Sequence, residues 1–218
     1  MALLYVLIPI LLAYFIGAVP FGLLVARFYG VADIRKVGSG NIGATNVWRV
    51  AGARAALWVY LLDIGKGVLA ILIARQFTST LLPHDYLMVL CAIAAVTGNI
   101  FPLYLRFKGG KGVNTSLGVM IMLLPVETLI CLVVFLLVVF VFRFISLGSI
   151  TAAVSLFLVV VVEKYIMAVE ISSLYLYLTF FLAVMVIISH RQNIRHLLTG
   201  TENRFRFPSR ADRAGSHV

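Results

Sequence analysis

Long uncharged stretches separated by short basic ones run the length of the chain. No charge occurs in residues 1–26, and residues 86–105, 144–162 and 171–189 are uncharged as well. A helix needs about 20 apolar residues to cross the hydrocarbon core of a bilayer, so each run predicts a transmembrane helix. The whole pattern predicts about seven spans: 3–26, 55–75, 86–105, two within 113–142, then 147–162 and 171–189. Pro125 and Glu127 interrupt the 113–142 stretch, which is therefore divided into a short fourth span and a fuller fifth. The expected fold is an all-α, polytopic transmembrane bundle. Residues 1–202 form one domain, with polar loops at 38–49, 107–115 and 190–202, and a basic tail follows at 203–218.

Composition agrees with lipid as the solvent. Hydrophobic residues make up 62% of the 218 and charged residues 12%, against about 25% charged in a soluble domain. The first span lacks a positive leading region and its first charge is Arg27, so it is read as retained rather than cleaved. Cys91 and Cys131 lie in apolar runs and read as small packing residues. The net charge of +10 could point to nucleic acid, but the basic residues border the spans. Alternating the spans gathers Arg27, Arg35, Lys36, Arg49, Arg54, Arg106, Lys108, Lys111, Arg143 and six arginines after His190 on one side. Only Arg75 and Lys164 fall opposite, among Asp85, Glu127, Glu163 and Glu170. The positive-inside rule makes the first side cytoplasmic, with the N-terminus outside and the C-terminus inside.

Candidate chemistry collects on that basic face. The stretch GSGNIGATNVWR (38–49) fits G-x-G-x-x-G, but no strand precedes it and a dinucleotide-binding βαβ unit has no room between spans. Its glycines, Gly40 and Gly43 among them, let backbone N–H groups approach an anion, and a helix beginning near Gly43 aims more of them there. Ser39, Asn41 and Asn46 offer neutral donors beside Arg49. FKGGKGVNT (107–115) resembles a phosphate loop but is not a Walker A motif, because Leu105 stands where its first glycine belongs. Lys108, Gly109, Gly110, Lys111 and Gly112 are candidates for holding phosphate; a plain interhelical turn with membrane-edge anchors is the alternative. In HRQNIRHLLTGTE (190–202), helical spacing puts His190 and Asn193 on one face. Asp63 and Lys66, at i and i+3 inside span two, should neutralise each other or meet polar loops, either as a structural tie or with Lys66 adding positive potential to the site. No histidine has partners at metal-ligand spacing and no acidic pair suits magnesium, so neither metal nor cofactor is expected.

These three stretches closely resemble the three cytoplasmic motifs of the bacterial acyl-phosphate:glycerol-3-phosphate acyltransferases. PFG (20–22), DIRK (33–36), LDIGKG (62–67) and FISLGSI (144–150) add to the likeness, which runs from about Pro20 to Glu202. The resemblance implies a multi-pass enzyme of the bacterial inner membrane. It would move a fatty acyl group from acyl phosphate to the 1-hydroxyl of glycerol 3-phosphate, the first acylation of phospholipid synthesis, giving lysophosphatidic acid and phosphate. Its partners would be those two substrates and the bilayer, with no nucleic acid and no protein partner. The His-x4-Asp motif of thioester-using acyltransferases is absent. Carried over to matching positions, Ser39, Arg49, Lys111, His190 and Asn193 would line the site, joined by Ser146 and Ser149. Either His190 or a substrate phosphate would take the hydroxyl proton, and Glu202 would buttress the tail through an arginine. Where the family usually has His before the FP of its second motif, this chain has Asn99. An anion transporter and an acyl-phosphate hydrolase are the rival readings.

Overall fold

The computed structural model describes residues 2–205, so the basic tail beyond Phe205, His217 included, lies outside the described residues. Nine α-helices and two short 3-10 turns make up the described chain, without a strand. They are α1 (Ala2–Ala18), α2 (Phe21–Phe28), α3 (Ala44–Arg75), α4 (His84–Ile100), α5 (Val113–Leu123), α6 (Pro125–Phe142), α7 (Ile145–Tyr165), α8 (Ser173–Ser189) and α9 (Arg191–Leu198).

Five segments are long and apolar enough to cross a membrane, α1 with α2 counting as one; α8 and α9, bent by 61° at their junction, would make a sixth. The predicted fourth span falls short. At about 1.5 Å per residue the 11-residue α5 reaches roughly 16 Å, half of a hydrocarbon core. Pro125 explains it, since a residue before proline is pushed out of helical geometry while proline itself suits a helix's first turn. Leu124 accordingly sits at φ −139°, ψ 70° between the two helices.

The 27–54 loop is shorter than expected, because α3 already starts at Ala44, capped by Gly43 as the sequence suggested. Gly52, at φ 85°, breaks α3 between this polar first part and the membrane-spanning remainder. A second break falls at Val19 and Pro20, between α1 and α2. There the carbonyl of Val19 accepts from the Phe21 N–H and from Lys66 Nζ, each at 3.1 Å, while Lys66 pairs with Asp63 at 2.8 Å. The intramembrane ion pair thus ties α3 to the α1–α2 elbow.

Between membrane helices there is no water to expel, so close packing has to hold them. Helices α3 and α5 meet through Gly67 against the backbone of Thr115 and Gly118 against the backbone of Ile64, where a Cβ would collide with main-chain atoms. Many large apolar side chains face outward, among them Leu57, Leu129, Leu136 and Phe140, as a lipid-facing surface requires. Helix α1 and helices α3 to α8 all contribute to the core, and the three motif stretches converge at one end of the bundle.

Candidate active site

The first motif is a loop folded around one asparagine. Asn46 is 1% exposed. Its Oδ1 accepts from the Ser39 N–H at 2.8 Å, and its Nδ2 faces the carbonyls of Ile34, Val37 and Asn41 at 2.9–3.2 Å. Asn41 Oδ1 accepts from the Gly43 N–H at 2.7 Å. The Asn46 carboxamide is therefore wholly engaged in shaping the loop, whereas Asn41, which also lines the cleft, uses only its oxygen there. Gly38 and Gly40 turn it at φ 61° and 71°. What remains for a ligand is the first turn of α3, whose leading N–H groups have no intrahelical acceptor, together with the Ser39 hydroxyl and Arg49. Arg49 pairs with no carboxylate within the described residues and stands close enough to Lys111 to disfavour its charge.

In the second motif, the Gly109 and Gly110 N–H groups donate to the Ile100 and Asn99 carbonyls at 3.1 and 3.0 Å, and the Gly112 N–H donates to Asn99 Oδ1 at 3.0 Å. The glycine N–H groups expected to cradle phosphate are thus occupied. Those of Lys111, Val113 and Asn114 are not, and they lie at the N-terminus of α5, where an anion is favoured. Lys108 is exposed and, like Gly109, lies outside the cleft described below, because Arg106 and Phe107 at φ 51° and 62° turn the chain there.

The third motif supplies the opposite wall. Lys111 Nζ donates to Asn193 Oδ1 at 2.6 Å, Asn193 Nδ2 donates to Glu202 Oε1 at 2.8 Å, and the Ser146 hydroxyl donates to the same oxygen at 2.8 Å. Glu202 Oε2 lies 3.7 Å from His196 Nδ1. The arginine partner expected for Glu202 is absent among the described residues; its carboxylate is the anchor of a chain that ends on Lys111. Ser149 bonds back to the Ile145 carbonyl at 2.9 Å. His190, just beyond the end of α8, is 2% exposed, and its Nδ1 lies 2.8 Å from the Val186 carbonyl. Only a protonated Nδ1 can donate there, so Nε2 is the bare nitrogen. Burial, reinforced by nearby Lys111, pushes the His190 pKa down to about 4, and burial likewise lowers Lys111 to about 8.

Together these residues line a polar cleft of about 510 Å³ that includes Ser39, Arg49, Lys111, His190, Asn193 and Ser146, with Asp63 and Lys66. An apolar hollow of about 570 Å³ adjoins it, sharing Tyr60, Phe135 and Ile145 and continuing along Leu136 and Phe140 of α6. Phe205 crosses that hollow and meets Trp48 edge-on at 5.4 Å.

An all-helical chain with a cationic cleft that opens onto an apolar groove can hold an anionic head and an apolar chain side by side. A sequence profile of the glycerol-3-phosphate acyltransferases matches residues 7–200. The chain is 43% identical to the glycerol-3-phosphate acyltransferase of Syntrophotalea carbinolica, over 91% of this chain and 97% of that one. It is 38% identical to glycerol-3-phosphate acyltransferase 2 of Bacillus anthracis, over 91% and 98%. Among solved structures it resembles PlsY, an integral membrane glycerol 3-phosphate acyltransferase. The glycerol 3-phosphate form matches with a TM-score of 0.81 and 36% identity, over 92% of this chain and 96% of that one. The lysophosphatidic acid form matches at 0.79 and 35%, over 92% and 95%. The chain belongs to the glycerol-3-phosphate acyltransferase family.

Proposed function

We propose that this glycerol-3-phosphate acyltransferase takes its acyl group from acyl phosphate and passes it to the 1-hydroxyl of glycerol 3-phosphate, giving lysophosphatidic acid and inorganic phosphate. The observation that carries the reading is the convergence of Arg49, Lys111 and two helix N-termini in one cleft that is continuous with an apolar groove. Both substrates are anions. The cations and N–H groups offset their repulsion, and the groove beside α6 suits the acyl chain. The basic bias of the motif loops supports a cytoplasmic site in the bacterial inner membrane, a cytoplasmic tail at 203–218 and an N-terminus outside.

A mixed anhydride carries a good leaving group, so catalysis is chiefly positioning and charge stabilisation. The 1-hydroxyl oxygen bonds to the acyl carbonyl carbon, and the carbon–oxygen bond to phosphate breaks. The proton's destination follows from basicity. With no anion bound, burial and Lys111 hold the His190 imidazole down near 4, neutral and weakly basic, whereas phosphate has a second pKa of about 6. The proton passes to the departing phosphate, and His190 Nε2 accepts a hydrogen bond that aims the hydroxyl. Asn193 holds Lys111 in place, and the Ser39 hydroxyl is a further donor to phosphate.

The donor is tested with purified protein in EDTA, offered glycerol 3-phosphate with either acyl phosphate or acyl-CoA. Lysophosphatidic acid from acyl phosphate alone is expected; equal turnover with acyl-CoA, or loss of turnover in EDTA, overturns the reading.

A further inference from the structure

Helix α4 ends where the second motif begins, and Asn99 in its last turn touches that motif twice. The carbonyls of a helix's final turn lack intrahelical donors. Here Asn99 O receives the Gly110 N–H and Ile100 O the Gly109 N–H, while the Asn99 side chain reaches past them to the Gly112 N–H. Three of the four N–H groups of Gly109–Gly112 are therefore turned back onto the end of α4. Lys111 is the exception, and its N–H and those of Val113 and Asn114 have no backbone partner among the described residues. Little else could hold this shape. A Cβ on Gly109 would strike the Asn99 carbonyl, and one on Gly110 would lie 2.9 Å from Asn99 Oδ1. Asn99 is 8% exposed and lines the cleft, so its grip on the loop sits beside the ligand space. Asn46 grips the first motif the same way, its Oδ1 receiving the Ser39 N–H.

We propose that Asn99 is a positioning residue for the reaction: its carboxamide oxygen holds Gly112 so that Lys111 and the leading N–H groups of α5 present themselves together to a phosphate group. A carboxamide accepts that bond at any pH. The proposal rests on the reading of Lys111 as a phosphate ligand, and its test separates the two.

The test is a double-mutant cycle on kcat/KM, followed by phosphate release, with Asn99→Leu, Lys111→Met and both together. Leu keeps the branching of the side chain and deletes the acceptor, with some added bulk. Asn99→Leu is expected to lower kcat/KM roughly 10-fold, equivalent to about 1.4 kcal/mol for the bond and the N–H left unpaired. In the Lys111→Met background that loss should shrink, because one of the groups being positioned is gone while the α5 N–H groups remain. If Lys111→Met is impaired and Asn99→Leu multiplies its loss in full, Asn99 is only structural and the proposal is overturned. If Lys111→Met alone matches wild type, the site reading beneath it fails instead. Asn99→Ala covers the case in which Asn99→Leu does not fold, since it deletes the acceptor without adding bulk; its loss of kcat/KM should likewise shrink in the Lys111→Met background, and a loss that multiplies there in full overturns the proposal.

Discussion

Replacing Lys111 by Met should make the protein more stable while disabling it. Lys111 sits in a cleft shaped for anions but faces another cation, Arg49, and burial lowers its pKa from 10.5 to about 8. At 1.36 kcal/mol per unit, keeping its ammonium charged in the empty site costs on the order of 3 kcal/mol. The sign follows from proton counts. Below pH 8 both folded and unfolded chains hold the proton and the full penalty applies. Between about 8 and 10.5 the unfolded chain keeps a proton that the folded one has released, so stability rises with pH through that window. Met removes the penalty but leaves Asn193 Oδ1 without its 2.6 Å donor, a loss of about 1 kcal/mol. The net gain at pH 7 is about 2 kcal/mol, or roughly 4–8 °C in Tm for a chain of this length. Thermal unfolding in detergent, followed through Trp48 and Trp58, reads it directly. The gain should shrink as pH climbs from 8 towards 10.5. A Met variant less stable than wild type at pH 7, or a gain that ignores pH, would refute the reasoning.

Glu202→Gln keeps an acceptor for Ser146 and Asn193 but removes the charge that raises the Lys111 pKa; the alkaline limb of kcat/KM should move below about 8, and an unmoved limb counts against the Glu202–Asn193–Lys111 chain. His190→Asn, which can still orient a hydroxyl, should keep appreciable turnover while His190→Ala loses much more; equal losses of ~10²–10⁴ in both would restore His190 as the general base. Gly118→Val pushes a side chain into the Ile64 backbone, so a monodisperse, active protein would contradict the α3–α5 packing.

The helices were legible because lipid imposes a simple rule, that a span must be long and uncharged. Even the α5–α6 break could be read from Pro125. The reach of α5 could not, since only its packing against Gly67 permits so short an apolar helix in the core. The three motifs announced themselves by composition, yet their internal geometry did not. Asn46 looked like a free donor because sequence does not show which way a carboxamide faces; four hydrogen bonds turn it inward. Lys108 and Lys111 read alike, and only the left-handed turn at Arg106 and Phe107 sends one out and the other in. Glu202 was expected to meet an arginine, and among the described residues it meets Ser146, Asn193 and His196 instead. Its contact with Ser146 spans 56 residues and the Lys111–Asn193 bond spans 82, distances at which local spacing carries no signal.

The central claim is that acyl phosphate is cleaved by the hydroxyl of glycerol 3-phosphate and not by water. It is tested by measuring inorganic phosphate and lysophosphatidic acid together, on purified protein in lipid with EDTA and acyl phosphate, with and without glycerol 3-phosphate. The account predicts equal molar amounts of both products when glycerol 3-phosphate is present and almost no phosphate release when it is withheld. Phosphate released at a similar rate without glycerol 3-phosphate would contradict it and identify the cleft as a hydrolytic one.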